Sequence, residues 1–114
     1  MMAYFLHIHL LIANFLFASP QPYQAVDLCE LKGAVYIESV ASLADYRVFV
    51  LEQEDFADLL VFKEQGKAFC EEAGHWFITT SRSEADFSIF LEAFADEAEL
   101  RIFYTEFPSL AGCP

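Results

Sequence analysis

Apolar and polar positions follow a unit of about 13 residues that repeats through most of the chain. Its clearest copies, at 84–91 and 97–104, each read acid, Ala, acid, large apolar, polar, then three apolar residues with Phe in the middle. One longer spacing contains Ala73 and Gly74, which we interpret as a two-residue insertion. The central aromatic column is Tyr36, Phe49, Phe62, Phe77, Phe90 and Phe103, with spacings of 13, 13, 15, 13 and 13. The pattern therefore indicates six repeats.

Each repeat has room for one strand of about five or six residues and a turn. The strand centres are β-branched and aromatic, which favours extended backbone. Three consecutive apolar residues point to both faces, so we expect both faces to be covered and the central aromatic rings to pack inward. The acidic segments between strands predict short α or 3₁₀ turns, capped by Ser83, Asp55 or Asp96. The predicted fold class is mainly β, with six 13-residue strand-turn repeats.

The first 19 residues are apolar apart from His7, His9, Asn14 and the final Ser19, and the stretch stops at Pro20. It has the length of a secretory signal, although it lacks a basic start and a small-x-small cleavage site. We therefore predict an exported protein: periplasmic, cell-surface or secreted. A retained membrane anchor and a mis-assigned start of a cytoplasmic protein are the alternatives. On this division, 1–19 is a signal peptide or apolar leader, 20–33 a connector and 34–114 the β-repeat domain.

The folded body is strongly acidic. The formal net charge is −12, from 18 acids and 6 bases, and every charged side chain lies between Asp27 and Glu106. An acidic surface repels nucleic-acid phosphates and disfavours anionic lipid. We therefore expect no nucleic-acid partner and no membrane contact by the mature domain. The partner is unknown, a protein remains open, and a monomer is expected rather than an oligomer.

An acidic column recurs directly after the small-residue column, at Asp45, Asp58, Glu71, Asp86 and Glu99. Together with acids in the turns, it raises the alternative of a divalent-cation site, because calcium prefers oxygen ligands. A hydrolase that uses paired turn carboxylates is a second alternative. Each repeat offers only one column acid, whereas calcium loops cluster several oxygens. We expect the column acids to bond local backbone N–H groups instead.

The three cysteines, Cys29, Cys70 and Cys113, are odd in number and widely spaced, which argues against zinc or thioredoxin-type motifs. They are interpreted as small buried hydrophobes or, in an exported protein, as one disulfide and one free thiol. Cys70 and His75 lie five residues apart without a visible orienting group, so a structural role is expected for both. We assign no catalytic, cofactor-binding or metal-ligating residue and no cofactor. The expected role is a non-enzymatic binding or structural module.

The runs at 44–50, 57–63, 81–90 and 98–104 resemble the Septknot family, small bacterial proteins built from Ala-Asp-Leu-x-Val-Tyr repeats. The break before Trp76 and the closing Ala111 and Gly112 strengthen the resemblance. It implies a compact β-rich fold whose backbone is deeply knotted, with seven crossings, and it implies no activity, cofactor or binding residue. The chain departs from the family pattern at Lys63, Cys70, Glu72 and Cys113.

Overall fold

Six parallel strands close into a barrel in the computed structural model of the protein, which describes residues 27–114. Each repeat supplies one strand of five residues, as its apolar centre predicts. The strands are β1 (Gly33–Ile37), β2 (Tyr46–Val50), β3 (Leu59–Lys63), β4 (His75–Thr79), β5 (Phe87–Leu91) and β6 (Leu100–Tyr104). The predicted mainly-β class with six strand-turn repeats is confirmed.

Short 3₁₀ turns accompany the strands, as the acidic segments predict. They lie at Leu28–Glu30, Ala41–Leu43, Lys67–Phe69, Arg82–Glu84, Ala95–Glu97 and Pro108–Leu110. The predicted caps are wrong. Ser83 and Asp96 lie inside turns, and Asp55 lies in a crossover without a 3₁₀ turn. Two turns are instead entered through threonine, because the hydroxyls of Thr79 and Thr105 accept backbone N–H bonds two residues on.

The ring order is β1-β4-β3-β6-β2-β5, so successive strands are mostly two places apart. The first three strands therefore occupy alternate places, and the last three fill the places between them. Only the step from β3 to β4 moves to the adjacent place. The connection at 64–74 that makes this step contains the inserted Ala73 and Gly74. The insertion thus lies in the one connection that moves by a single place instead of two. After that connection, β4, β5 and β6 fill the places between β1, β2 and β3.

Every strand pairing joins the first half of the repeat array to the second half. β1 pairs with β4 and β5, β2 pairs with β5 and β6, and β3 pairs with β4 and β6. No ladder among the described residues joins two of the first three strands or two of the last three. The barrel is therefore built only from contacts that are distant in sequence.

The barrel core comes from the column one residue before the central aromatics. Its members are fully buried: Val35, Val48, Val61, Trp76, Ile89 and Ile102. The expectation that the central aromatic rings pack inward is wrong. Those rings are half-buried on the opposite face, because adjacent residues of a strand point to opposite sides. Crossovers cover that face, as where the Arg82 guanidinium lies 5.1 Å from the centre of the Tyr36 ring. Both faces are therefore covered, as predicted.

The segment before β1 belongs to the packed body. Leu31 joins the buried core, and its carbonyl accepts bonds from the Trp76 indole N–H (3.0 Å) and the Gly74 backbone N–H (2.9 Å). Gly74 has a φ of 81°, and an added Cβ would collide with the backbones of Leu60 and Gly112. The predicted leader at 1–19 lies outside the described residues. Within 27–114, no helix has the length and apolar character needed to cross a membrane.

Candidate functional site

Four members of the acidic column close the starts of neighbouring strands. Each carboxylate accepts a backbone N–H bond, and the backbone N–H of the same acid donates to the carbonyl of the same partner residue. We refer to this two-bond arrangement as a carboxylate clamp. The N–H bonds run from Ser88 to Asp45 (2.9 Å), from Arg101 to Asp58 (2.8 Å), from Ala34 to Asp86 (2.8 Å) and from Arg47 to Glu99 (3.1 Å).

The clamps supply acceptors for backbone N–H groups near the starts of the strands, and one of these groups, on the fully buried Ala34, has no access to water. The prediction that column acids bond backbone N–H groups is confirmed for these four residues. The prediction that the bonds are local is wrong, since each partner lies 43 or 52 residues away. These four acids therefore connect the first half of the repeat array to the second half by hydrogen bonds.

Two positions show what the clamp needs: Glu71, the fifth acid of the column, and Gly112, which stands at the equivalent position of the last unit. Glu71 precedes the insertion, which moves it away from the start of β4, and its carboxylate has no hydrogen bond or ion pair among residues 27–114. Gly112 has no side chain, but its carbonyl accepts the Leu60 N–H (2.9 Å) and its N–H donates to the Leu60 carbonyl (2.8 Å). A backbone carbonyl thus replaces the carboxylate at the end of the array.

A second acidic column, which the sequence analysis missed, lies at the ends of three strands. Glu38, Glu64 and Glu92 follow the central aromatic by two residues and have largely buried side chains. The sequence feature that could have revealed this column is a glutamate that recurs two residues after the central aromatic, where the apolar strand ends. Their partners are Arg82 Nη2 for Glu38 (2.8 Å), His75 Nδ1 for Glu64 (2.8 Å) and Arg47 Nε for Glu92 (3.7 Å). These acids hold crossovers or adjacent strands against the barrel.

Carboxylates also line a hollow of about 260 Å³ at the start of β5. Glu38 pairs there with Arg82, Asp45 accepts bonds from Ser88, and Asp86 accepts the Ala34 N–H. Each of these carboxylates therefore already has a partner in the fold. Among the described residues, no three His, Cys, Asp or Glu side chains group in a way that could hold a metal ion.

Cys70 and His75, the pair considered from the sequence, each have another partner, and two serine hydroxyls in the turn before β5 bond each other. The Cys70 thiol donates to the Gly66 carbonyl (3.7 Å), and His75 bonds Glu64 rather than Cys70. Burial raises the pKa of the Cys70 thiol, and the Glu64 charge raises it further, so the unreactive thiol form is favoured. The hydroxyls of Ser81 and Ser83 bond each other (3.1 Å).

A disulfide joins Cys29 to Cys113 across 84 residues, with a Cα–Cα distance of 5.3 Å, and Cys70 is a buried free thiol. The alternative of one disulfide and one free thiol is therefore confirmed. The interpretation as small buried hydrophobes holds for Cys70 alone. The disulfide lies next to Gly112 and two residues before Leu31, so it closes the two ends of the described chain beside the insertion.

Charges are paired unequally on the surface. All six bases have a partner: the Glu71 carbonyl for Lys32 (3.0 Å), the Tyr104 ring for Lys63 (4.2 Å), and carboxylates for the other four. Many exposed acids have none, since their carboxylates neither accept a hydrogen bond nor form an ion pair within 27–114. These unpaired acids are Glu30, Glu52, Glu54, Asp55, Glu71, Glu72, Asp96, Glu97 and Glu106. The surface therefore has unneutralised negative charge.

Large apolar side chains stand exposed on the crossovers and on the segment after β6, which the sequence analysis did not predict. Phe56 is 88% exposed, Phe94 65%, Phe69 64% and Phe107 60%. Phe56 also has a φ of 70°, an uncommon backbone conformation for a bulky side chain. The available signal was a phenylalanine inside an acidic turn segment. These rings do not fill the barrel, which already has a complete core.

Comparison with known proteins identifies the family of the chain. No curated protein matches the chain. The Septknot family, described as a 7(1) septoil knot domain, matches residues 28–114, which begins at the 3₁₀ turn before β1 and includes all six strands. The match includes the six repeats, the insertion and the closing Gly112 bridge. The chain therefore belongs to the Septknot family.

Proposed function

We propose that the protein is an exported, non-enzymatic module that binds another protein through its crossovers and the segment after β6. The observation that carries the proposal is the exposure of four phenylalanines, Phe56, Phe69, Phe94 and Phe107, on a body whose core is already complete. Aromatic side chains are enriched in the centres of protein interfaces and supply much of the binding energy there. Burying one such ring stabilises a complex by about 1.5–3 kcal/mol.

The closed barrel determines which part of the surface makes the contact. Six strands that pair in a ring leave no open strand edge among the described residues, so a partner cannot bind by adding a strand. The crossovers, by contrast, present apolar side chains outward. The carboxylates that line the hollow at the start of β5 are engaged in clamps and an ion pair, which supports binding rather than catalysis at that hollow.

Export is supported by the cysteine chemistry. Disulfides persist in oxidising compartments and are rare where thiols are kept reduced. The pair Cys29–Cys113 joins the ends of the domain, and the apolar stretch at 1–19 has the length of a signal peptide. Cell fractionation followed by intact mass measurement tests this part of the proposal. A cytoplasmic protein with both of these cysteines reduced would contradict it.

Site-specific photo-crosslinking tests the binding role. The full-length chain, expressed in its own cells with its own leader, receives p-benzoyl-phenylalanine in place of Phe56, Phe69, Phe94 or Phe107. The control places the same probe at Glu72, an exposed turn residue outside the apolar set. We expect an adduct of defined mass from at least one phenylalanine position and none from Glu72. If all five positions give no adduct, or the same adduct, the binding proposal is wrong.

A further inference from the structure

Three outer segments lie side by side on one half of the barrel. In the ring, β3, β6 and β2 are consecutive, and each is bridged on the outside by a stretch of chain. The crossover at 51–58 passes over β6, where Asp58 clamps Arg101. The crossover at 92–99 passes over β2, where Glu99 clamps Arg47, and the terminal segment at 105–112 passes over β3, where Gly112 bonds Leu60. We name this half the acidic–aromatic face.

A groove of about 320 Å³ lies on this face between 51–58 and 105–112. Phe103 and Tyr104 form its floor, and Phe107 and Leu110 form a wall. The side chain of Phe107 is 60% exposed and that of Leu110 is 51% exposed. Glu54 and Glu106 also line the groove, and both carboxylates are exposed and unpaired. The groove therefore combines an apolar floor with negative charge.

The charge of the acidic–aromatic face is not neutralised by the fold. It carries six of the unpaired acids: Glu52, Glu54, Asp55, Asp96, Glu97 and Glu106. The bases on its strands are committed, since Arg47 pairs with Glu92, Arg101 pairs with Asp58, and Lys63 lies over the Tyr104 ring. A partner that supplies positive charge would complement this face, and a like-charged partner would be repelled.

Backbone strain marks the same face. Phe56, on the 51–58 crossover, is the single non-glycine residue with positive φ among the described residues, and its ring is almost fully in water. Bulky side chains rarely adopt this conformation.

From this combination we infer that the acidic–aromatic face is a docking surface for a protein segment that carries Lys or Arg beside apolar residues. The apolar side chains of that segment occupy the groove over Phe107 and Leu110, and its cations lie against Glu54 and Glu106. This inference rests on the proposed binding function and adds to it the place of binding and the chemistry of the partner.

Fluorescence anisotropy with the oxidised full-length chain tests the inference. The probe is a fluorescein-labelled peptide with four repeats of Lys-Leu-Leu, and the comparison peptides replace its lysines by glutamates or its leucines by serines. We expect saturable binding of the Lys-Leu peptide that weakens as salt is raised. Neither comparison peptide should bind within tenfold of it, because each lacks one of the two complementary features.

Matched variants locate the binding. Leu110→Ser should weaken it about fivefold to tenfold, since half of a leucine side chain is left to be buried there. Leu43→Ser is the control, because Leu43 occupies the same repeat position, is 58% exposed and lies on the crossover over β5. The double variant E54Q/E106Q should weaken binding about fivefold at low salt. Its control, E71Q/E72Q, removes equal charge near the start of β4 and should change binding less than twofold.

Two results would overturn the inference: no binding of the Lys-Leu peptide, or equal weakening by each variant and its control. Because the crosslinking experiment does not depend on the chemistry of the partner, the two proposals can fail separately. A specific crosslink together with failed peptide binding removes only the docking inference. A failed crosslinking experiment removes the binding function, and the docking inference with it.

Discussion

The clamp between Asp86 and Ala34 gives the sharpest test of how the barrel is held together. Its carboxylate accepts the Ala34 N–H at 2.8 Å, and Ala34 is fully buried, so water has no access to that donor. Asp86→Ala therefore leaves the N–H without an acceptor. An unsatisfied buried donor costs about 1–3 kcal/mol. The ion pair of Asp86 with Lys67 (3.4 Å) joins two half-exposed side chains and adds less than about 1 kcal/mol. We expect a total loss of about 2–3 kcal/mol.

Equilibrium unfolding in urea, with the disulfide intact, measures this loss. With a slope of about 1 kcal/mol per M, the midpoint of Asp86→Ala should fall by about 2 M. Asp86→Asn keeps an oxygen acceptor and should lose about 1 kcal/mol. Glu71→Ala is the matched control, because Glu71 belongs to the same column without forming a clamp, and its change should stay within about 0.5 kcal/mol. Equal midpoints for Asp86→Ala and Glu71→Ala would refute the clamp as a source of stability.

Further predictions concern the ends, the titrating groups and the unfolding rate. Cys29→Ser/Cys113→Ser should lower the unfolding free energy in urea by about 4–5 kcal/mol, because the disulfide closes a long loop; a loss below about 1 kcal/mol contradicts this. Burial raises the pKa of Tyr104 above 10.0. Because the phenol ionises at a lower pH in the unfolded chain, the stability that the protonated phenol contributes is complete below about pH 10 and is lost as the pH rises above it. Tyr104→Phe should remove that decline in the free energy of unfolding. Folded protein should resist alkylation of Cys70 at pH 8 by iodoacetamide, and rapid labelling without denaturant would contradict its burial. The knot remains a prediction from the family resemblance; we expect stopped-flow unfolding slower than about 1 per second in water, and faster unfolding would count against it.

The repeat could be predicted from the sequence because each unit has the same local pattern. Five apolar or β-favouring residues followed by an acidic turn define one strand, and the six strand centres at Tyr36 through Phe103 all lie in strands. The direction in which the central aromatic rings point could not be predicted. In a run of three apolar residues, no polar residue marks the face that points outward. The sequence therefore did not determine which side chains of the strand face the interior of the barrel. The crossovers decide it, because they cover the aromatic column from outside.

Long-range features were hidden for a different reason. A period of 13 residues identifies equivalent strands but does not say which strands pair, so the ring order and the partners of the clamps could not be deduced. The insertion at Ala73 and Gly74 was visible, whereas its effect on the ring appears only once the barrel closes. The cysteine count admitted a disulfide without giving its pairing. The candidate groove was unpredictable for the same reason, since its walls come from 51–58 and 105–112, which the sequence keeps far apart.

The exclusive pairing between early and late strands has a consequence for biosynthesis. A ribosome that has released only the first three repeats has made three strands with no native neighbour, whose unpaired edges invite aggregation. The first ladder becomes available only with β4, and the ring closes only after β6 is complete. Folding therefore waits for nearly the whole polypeptide. A nascent chain of this kind stays unfolded for most of its synthesis, which is the state that a secretion channel can thread.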